Sequence, residues 1–183
     1  KPSVAPGTIL GEFTAFADGV FPKAKVIAVG GHDTASAVAA VPTAKEDFIY
    51  ISCGTWSLVG TELKKPILSA EARQLNFSNE VGVEDSVRFL KNVMGLWLLQ
   101  QCRSSWAKGG QSYEYSELAS LGAKAKPWRT LLNPDDPAFL NPSDMPGAIA
   151  EYARRTEQAP PESVGDYVRC ILESLALKYW WVV

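Results

Sequence analysis

Apolar residues run unbroken through Val26-Ile27-Ala28-Val29 and stop at Gly30-Gly31. A short run that is apolar at every position predicts a strand covered on both faces, and paired glycines end it because they admit backbone angles and close approaches that a Cβ blocks. The small, weakly polar residues 34–40 then predict a short helix with Asp33 at its N-cap. A second β-rich pattern follows in Phe48-Ile49-Tyr50-Ile51-Ser52-Cys53-Gly54-Thr55-Trp56-Ser57-Leu58-Val59-Gly60, which reads as a tight hairpin turning at residues 52–55. Between the two patterns lies a polar, proline-led connector, residues 42–47.

Downstream, the pattern predicts a polar excursion over residues 76–80, a strand over 87–90 and a helix over 94–107 closed by Gly109 and Gly110. Residues 124–146, rich in Pro, Asn and Asp, read mostly as loop. Helices over 148–157 and 163–181 complete the chain, with Val164, Tyr167, Val168, Ile171, Leu172, Leu175 and Tyr179 on one core-facing stripe of the second. A further short strand is expected around Phe13, and Leu96, Trp97 and Leu99 read as core positions and not as a sugar-stacking platform.

The two glycine turns carry the candidate chemistry. Asp33 places a carboxylate on an exposed turn, where it either caps its helix, a role worth about 1 kcal/mol, or meets a substrate. The 52–55 turn either satisfies hairpin geometry alone or aims backbone N–H groups and small hydroxyls at one spot, a concavity that binds phosphate oxygens. Taken together, a carboxylate turn and a phosphate-type turn point to phosphoryl transfer onto a hydroxyl. A serine-hydrolase arrangement is disfavoured, since adjacent His32 and Asp33 diverge and no Gly-Xaa-Ser-Xaa-Gly elbow occurs.

Three motifs in order, Gly31-His32-Asp33-Thr34-Ala35-Ser36-Ala37-Val38, Ser52-Cys53-Gly54-Thr55-Trp56-Ser57 and Arg88-Phe89-Leu90-Lys91-Asn92-Val93-Met94-Gly95-Leu96-Trp97-Leu98-Leu99-Gln100, resemble those of the FGGY carbohydrate kinases. The likeness is close over the first hundred residues and looser beyond, where Asn133-Pro134-Asp135-Asp136-Pro137-Ala138-Phe139 remains compatible. The resemblance implies an α/β, actin-like ATPase fold of two ribonuclease-H-like domains with the active site in the cleft between them. On that reading residues 1–45 close the first, sugar-binding domain and 46–183 open the second, ATP-binding one. It implies transfer of the γ-phosphate of ATP to a ketose hydroxyl, with L-rhamnulose as acceptor in the closest likeness; another ketose or polyol is the alternative within the class.

The resemblance assigns Asp33 as general base, His32, Asp33, Thr34 and Asn92 as sugar contacts, and Gly54, Thr55 and Gln100 as ATP contacts. Read as residues alone, His32 also suits a structural hydrogen bond in its turn, Asn92 a helix cap, and Gln100 a solvated helix position. Mg2+ is expected to accompany ATP, its main ligand lying in the part of the family pattern that precedes this chain, and the adenine-contacting segment lies in the part that follows. The absence of an opening methionine and of a helix stop after Trp180-Trp181-Val182-Val183 suggests an internal fragment, expected to be a poor catalyst alone.

Composition narrows the partners. Eighteen Lys and Arg against 20 Asp and Glu give a net charge of −2 with no basic stripe, which argues against nucleic acid or an anionic membrane. No apolar run reaches the roughly 18 residues of a bilayer span. The three cysteines are odd in number, far apart and in no metal spacing, which fits free thiols in a reducing cytosol and so a cytoplasmic protein; one histidine makes an ordinary zinc site improbable. Outside the kinase class, a non-catalytic actin-like sugar or nucleotide sensor is disfavoured by Asp33, and a purely structural module leaves both glycine turns unexplained.

Overall fold

The computed structural model describes residues 4–13, 24–45 and 47–183. The chain divides into two compact units, Lys1–Tyr50 with Gly60–Leu90, and Ile51–Val59 with Lys91–Val183. It is mixed α/β throughout.

In the first unit, β1 (Ile9–Glu12) pairs antiparallel with β2 (Lys25–Ile27). The expected strand over 26–29 is therefore shorter, and it is not covered on both faces: Ile27 is 51% and Val29 77% exposed. The reason is that β2 belongs to a two-stranded ribbon over which no described layer is stacked, so its apolar side chains stay open. The helix α1 (Asp33–Ala39) begins with Asp33 as its first helical residue and His32 as its cap, one position earlier than the pattern suggests. His32 holds the extended backbone a cap needs, with φ −136° and ψ 143°.

A four-stranded sheet runs in the order β3 (Tyr50–Cys53), β4 (Trp56–Leu63), β6 (Val87–Met94), β5 (Phe77–Val81). Strands β4 and β6 each contribute one half to each unit. Of residues 76–80, expected as a polar excursion, 77–80 form most of β5. An edge strand has one open side and so tolerates Ser78, Asn79 and Glu80 there; what fixes it is Phe77 stacked on Phe89 at 4.8 Å and Glu80 bonded to buried Arg88 at 2.8 Å. Before it, α2 (Ala70–Gln74), absent from the sequence reading, is capped by the Ser69 hydroxyl, which accepts from Ala72 N.

The second unit is a helical layer on the remaining strand halves: α3 (Trp97–Lys108), α4 (Tyr115–Lys124), a 3-10 turn (Pro137–Phe139), α5 (Met145–Arg155) and α6 (Val164–Val182). Helix α3 starts at Trp97 and not at 94, because Met94 still belongs to β6; it ends at Gly109, with Gly110 in the left-handed region at φ 86° as a helix stop requires. The stretch 124–146 is not wholly loop, since it holds the end of α4, the 3-10 turn and the start of α5. Val59, Val93, Leu98, Leu118, Phe139, Ile149, Val168 and Ile171 make one core. Of the predicted α6 stripe, Val168, Ile171 and Leu175 are buried, while Leu172 is 40% exposed because it lies at the edge of the face that meets α4. Leu99 is buried, while Leu96 and Trp97, read as core, are only partly buried against it; Trp56 stands 47% exposed.

A reciprocal capping box opens α6: Ser163 accepts from Asp166 N, and the Asp166 carboxylate accepts from Ser163 N. Burial pushes the Asp166 carboxyl up, but its hydrogen bonds from Ser163 and Glu162 and the nearby Arg129 outweigh this and leave it below the usual carboxylate range. A depressed folded value means that the cap's contribution is whole above the ordinary carboxylate pKa and is lost as pH falls through the folded value. Asp166→Asn is expected to flatten the acid limb of the stability curve, followed by helical circular dichroism; equal acid sensitivity in both proteins would count against it.

Candidate functional site

In the first unit, the Asp33 side chain is 93% and His32 56% exposed, so this carboxylate stands in solvent while bonding to the first turn of its own helix. Thr34 N–H donates to Asp33 Oδ1 at 2.8 Å, closer than to His32 Nδ1 at 3.2 Å. The same carboxylate oxygen lies 2.9 Å from Nδ1, which donates to Asp33 when it carries a proton and accepts from Thr34 N–H when it does not. Thr34 itself is buried, and its hydroxyl is directed at Asp33 Oδ1 at 3.4 Å. His32 and Thr34 thus orient the carboxylate. The first unit also has a pocket of about 790 Å³, lined by Val38, Thr43, Lys45, Phe48, Glu62 and Asp85 among others, and it includes none of the expected site residues.

The second unit holds Gly54, Thr55, Asn92 and Gln100. Gly54 and Thr55 form the two-residue turn joining β3 to β4, and three backbone bonds fix it. Leu96 N donates to Gly54 O at 2.9 Å, Trp97 N donates to Thr55 O at 3.0 Å, and Gly54 N donates to Trp56 O at 3.1 Å. The Gly54 N–H is therefore engaged, and the exposed Thr55, with its N–H and hydroxyl, is the turn's remaining donor toward a ligand. Glycine is required at 95 because a Cβ there would lie 2.4 Å from Ser57 Oγ and 2.7 Å from Gly54 O.

Asn92 is the one exposed residue of β6, between buried Lys91 and Val93, and it does not cap α3, whose cap is Leu96 with no side-chain bond. Gln100 is half-buried on α3. Sequence reasoning missed the supports of this region. Asp135 Oδ1 accepts from Met94 N at 3.1 Å, and Oδ2 meets Lys178 Nζ at 2.9 Å; the 133–139 motif had marked Asp135 without showing its partner. Burial, reinforced by Lys178 and opposed by Asp135, pulls the Lys91 ammonium below its ordinary value. Among the described residues no three His, Cys, Asp or Glu side chains come together to hold a metal ion, and no helix is long and apolar enough to cross a membrane. Cys53, Cys102 and Cys170 are all free thiols.

Residues 49–183, from the start of the hairpin to the end of α6, match the C-terminal domain of the FGGY family of carbohydrate kinases. The chain belongs to this family. It is 53% identical over 154 residues to a rhamnulokinase of Bacteroides thetaiotaomicron, covering 84% of this chain and 31% of that protein. It is 44% identical over 178 residues to a rhamnulokinase of Enterococcus faecalis, covering 96% and 35%. With a rhamnulokinase of Bacillus subtilis it shares 39% over 180 residues, covering 97% and 36%. The chain thus spans about a third of the length of the curated relatives it matches. Among solved structures, a xylulose kinase from Bifidobacterium adolescentis aligns with a TM-score of 0.42 at 18% identity, over 82% of this chain and 29% of that one. FGGY membership agrees with the sequence resemblance, and the hairpin, β6 and α3 with their candidate residues all fall inside the matched span.

Proposed function

We propose that the protein containing this chain is an ATP-dependent sugar kinase of the cytoplasm that transfers the γ-phosphate to a hydroxyl of L-rhamnulose, giving L-rhamnulose 1-phosphate. The observation that carries this reading is identity of 39–53% to three rhamnulokinases over most of this chain. Residues 1–45 are assigned to the end of the sugar-binding domain, and 46–183 to the ATP-binding domain.

Asp33 accepts the proton of the attacking hydroxyl, its exposed carboxylate held in orientation by Thr34 N–H and His32. His32, Thr34 and Asn92 hold the sugar. Thr55 binds the terminal phosphates through its N–H and hydroxyl, with Gly54 lining the turn beside them, and Gln100 contacts the nucleotide. Phosphoryl transfer depends chiefly on positioning and charge neutralisation. A divalent cation, typical of the family and here expected to be Mg2+, would supply neutralisation bound to the phosphates of ATP. The described residues offer it no ligand cluster, so no step is assigned to it.

ATP consumption measured on the full-length protein with L-rhamnulose, L-fuculose, L-ribulose, D-xylulose and glycerol tests the substrate: a clear kcat/KM maximum elsewhere replaces L-rhamnulose, and no turnover with any acceptor favours a non-catalytic sensor. Thr55→Ala is expected to raise the KM for ATP on the order of tenfold through loss of a charge-assisted hydrogen bond, with sugar KM little changed. Equal losses on both substrates would mean a folding defect and remove Thr55 from the phosphate site.

A further inference from the structure

Beneath the Gly54–Thr55 turn lies a polar cluster that the kinase reading does not use. Ser57, the second residue of β4, is fully buried, and its Oγ lies 2.6 Å from the Tyr179 hydroxyl, 122 residues away on α6. Cys53 Sγ, one residue before the turn, is 3.8 Å from Ser57 Oγ and 3.6 Å from the Tyr179 hydroxyl. All three contacts are satisfied when Tyr179 donates to Ser57, Ser57 to Cys53, and Cys53 to Tyr179. Burial, opposed by the Ser57 bond and reinforced by Cys53, pushes the Tyr179 phenol up to about 12, so it keeps its proton.

An Ala and Phe pair would fill this space without desolvating two hydroxyls, and exchanging both partners of a buried hydrogen bond for apolar groups of similar shape costs little stability. What the polar pair adds is direction: it sets β4 at one depth and one rotation against α6. The neighbouring residue on α6, Lys178, reaches Asp135, which accepts from Met94 N at the end of β6. The start of α3 beyond it donates to both carbonyls of the turn. One turn of α6 is therefore linked to the hairpin twice, directly through Ser57 and by way of Lys178, Asp135 and the β6–α3 corner.

We infer that Tyr179, acting through Ser57, is a positioning residue for the nucleotide side of the reaction: it holds the Gly54–Thr55 turn where Thr55 meets the terminal phosphates of ATP. This rests on the kinase reading above, and the test separates the two.

In the full-length protein, Tyr179→Phe and Ser57→Ala are each expected to raise the KM for ATP about fivefold to tenfold while sugar KM stays within about twofold; the thermal midpoint falls in each single variant, which leaves one hydroxyl short of its partner, and by less in the double. The double variant should be no worse than the weaker single one, since both changes break the same bond. An unchanged ATP KM, a parallel rise in both KM values, or additive effects would overturn the inference. Dissociation constants for a non-hydrolysable ATP analogue, measured on the same proteins, read the same shift without turnover. A parent protein that binds the analogue but phosphorylates no acceptor sinks the kinase reading, and the binding ratios alone then decide this one.

Discussion

Asp33→Asn in the full-length protein is expected to lower kcat for sugar phosphorylation by about 10²- to 10⁴-fold, the usual worth of a positioned proton acceptor, while sugar affinity stays within about tenfold. The substitution isolates proton acceptance because it leaves the surrounding bonds standing. An asparagine oxygen still accepts from Thr34 N–H, and His32 keeps its place at the N-cap of α1. At 93% exposure the side chain contributes almost nothing to packing, so lost activity would not reflect lost stability. Initial rates give kcat, and calorimetric titration with the sugar gives affinity. Turnover within a few-fold of the unsubstituted protein would exclude Asp33 from the chemistry.

Gly95→Ala is expected to cost about 1–3 kcal/mol of stability through overpacking and to raise the ATP KM by more than Thr55→Ala does. The new Cβ would meet Ser57 Oγ at 2.4 Å, Gly54 O at 2.7 Å and Ser57 N at 3.0 Å. Two of those are backbone atoms, so relief requires the hairpin or the β6–α3 corner to move, and the bonds from Leu96 N and Trp97 N to the turn stretch with it. Gly60→Ala provides the comparison: its Cβ would lie 2.4 Å from Phe89 O and 2.6 Å from Leu90 Cβ, an equal crowding in the half of β4 that belongs to the first unit. It should lose comparable stability with ATP and sugar KM keeping their ratio. Denaturant midpoints and paired kinetics on both variants decide the matter; matching losses of ATP affinity would mean that Gly95 has no particular tie to ATP binding through the Gly54–Thr55 turn.

Local patterns made the hairpin, α3 and α6 readable, because each has a signal within a few residues: paired β-rich runs around Gly54-Thr55, Gly109-Gly110 as a stop, and the apolar stripe from Val164 to Tyr179. Where partners distant in sequence decide the structure, the reading failed. Residues 76–80 look polar until Phe89 and Arg88 are placed beside them, and α4 is set by close approach to α6, where a Cβ on Gly122 would lie 2.8 Å from Val168. The exposed β2 shows the converse, an apolar run whose sequence says nothing of what covers it. At the candidate site the motif residues were legible one by one. Their supports were not: Ser57 and Tyr179 each look like ordinary members of an apolar strand and an apolar helix face, and only the folded chain joins them.

The division of β4 and β6 has a practical result for protein engineering. The backbone passes from one unit to the other at 50/51, 59/60 and 90/91, so neither unit corresponds to a continuous piece of gene. A truncation meant to liberate the second unit would sever a strand in mid-course and strip hydrogen-bonded neighbours from what remained. Separating the two for study calls for permuted or stitched open reading frames in place of simple deletion.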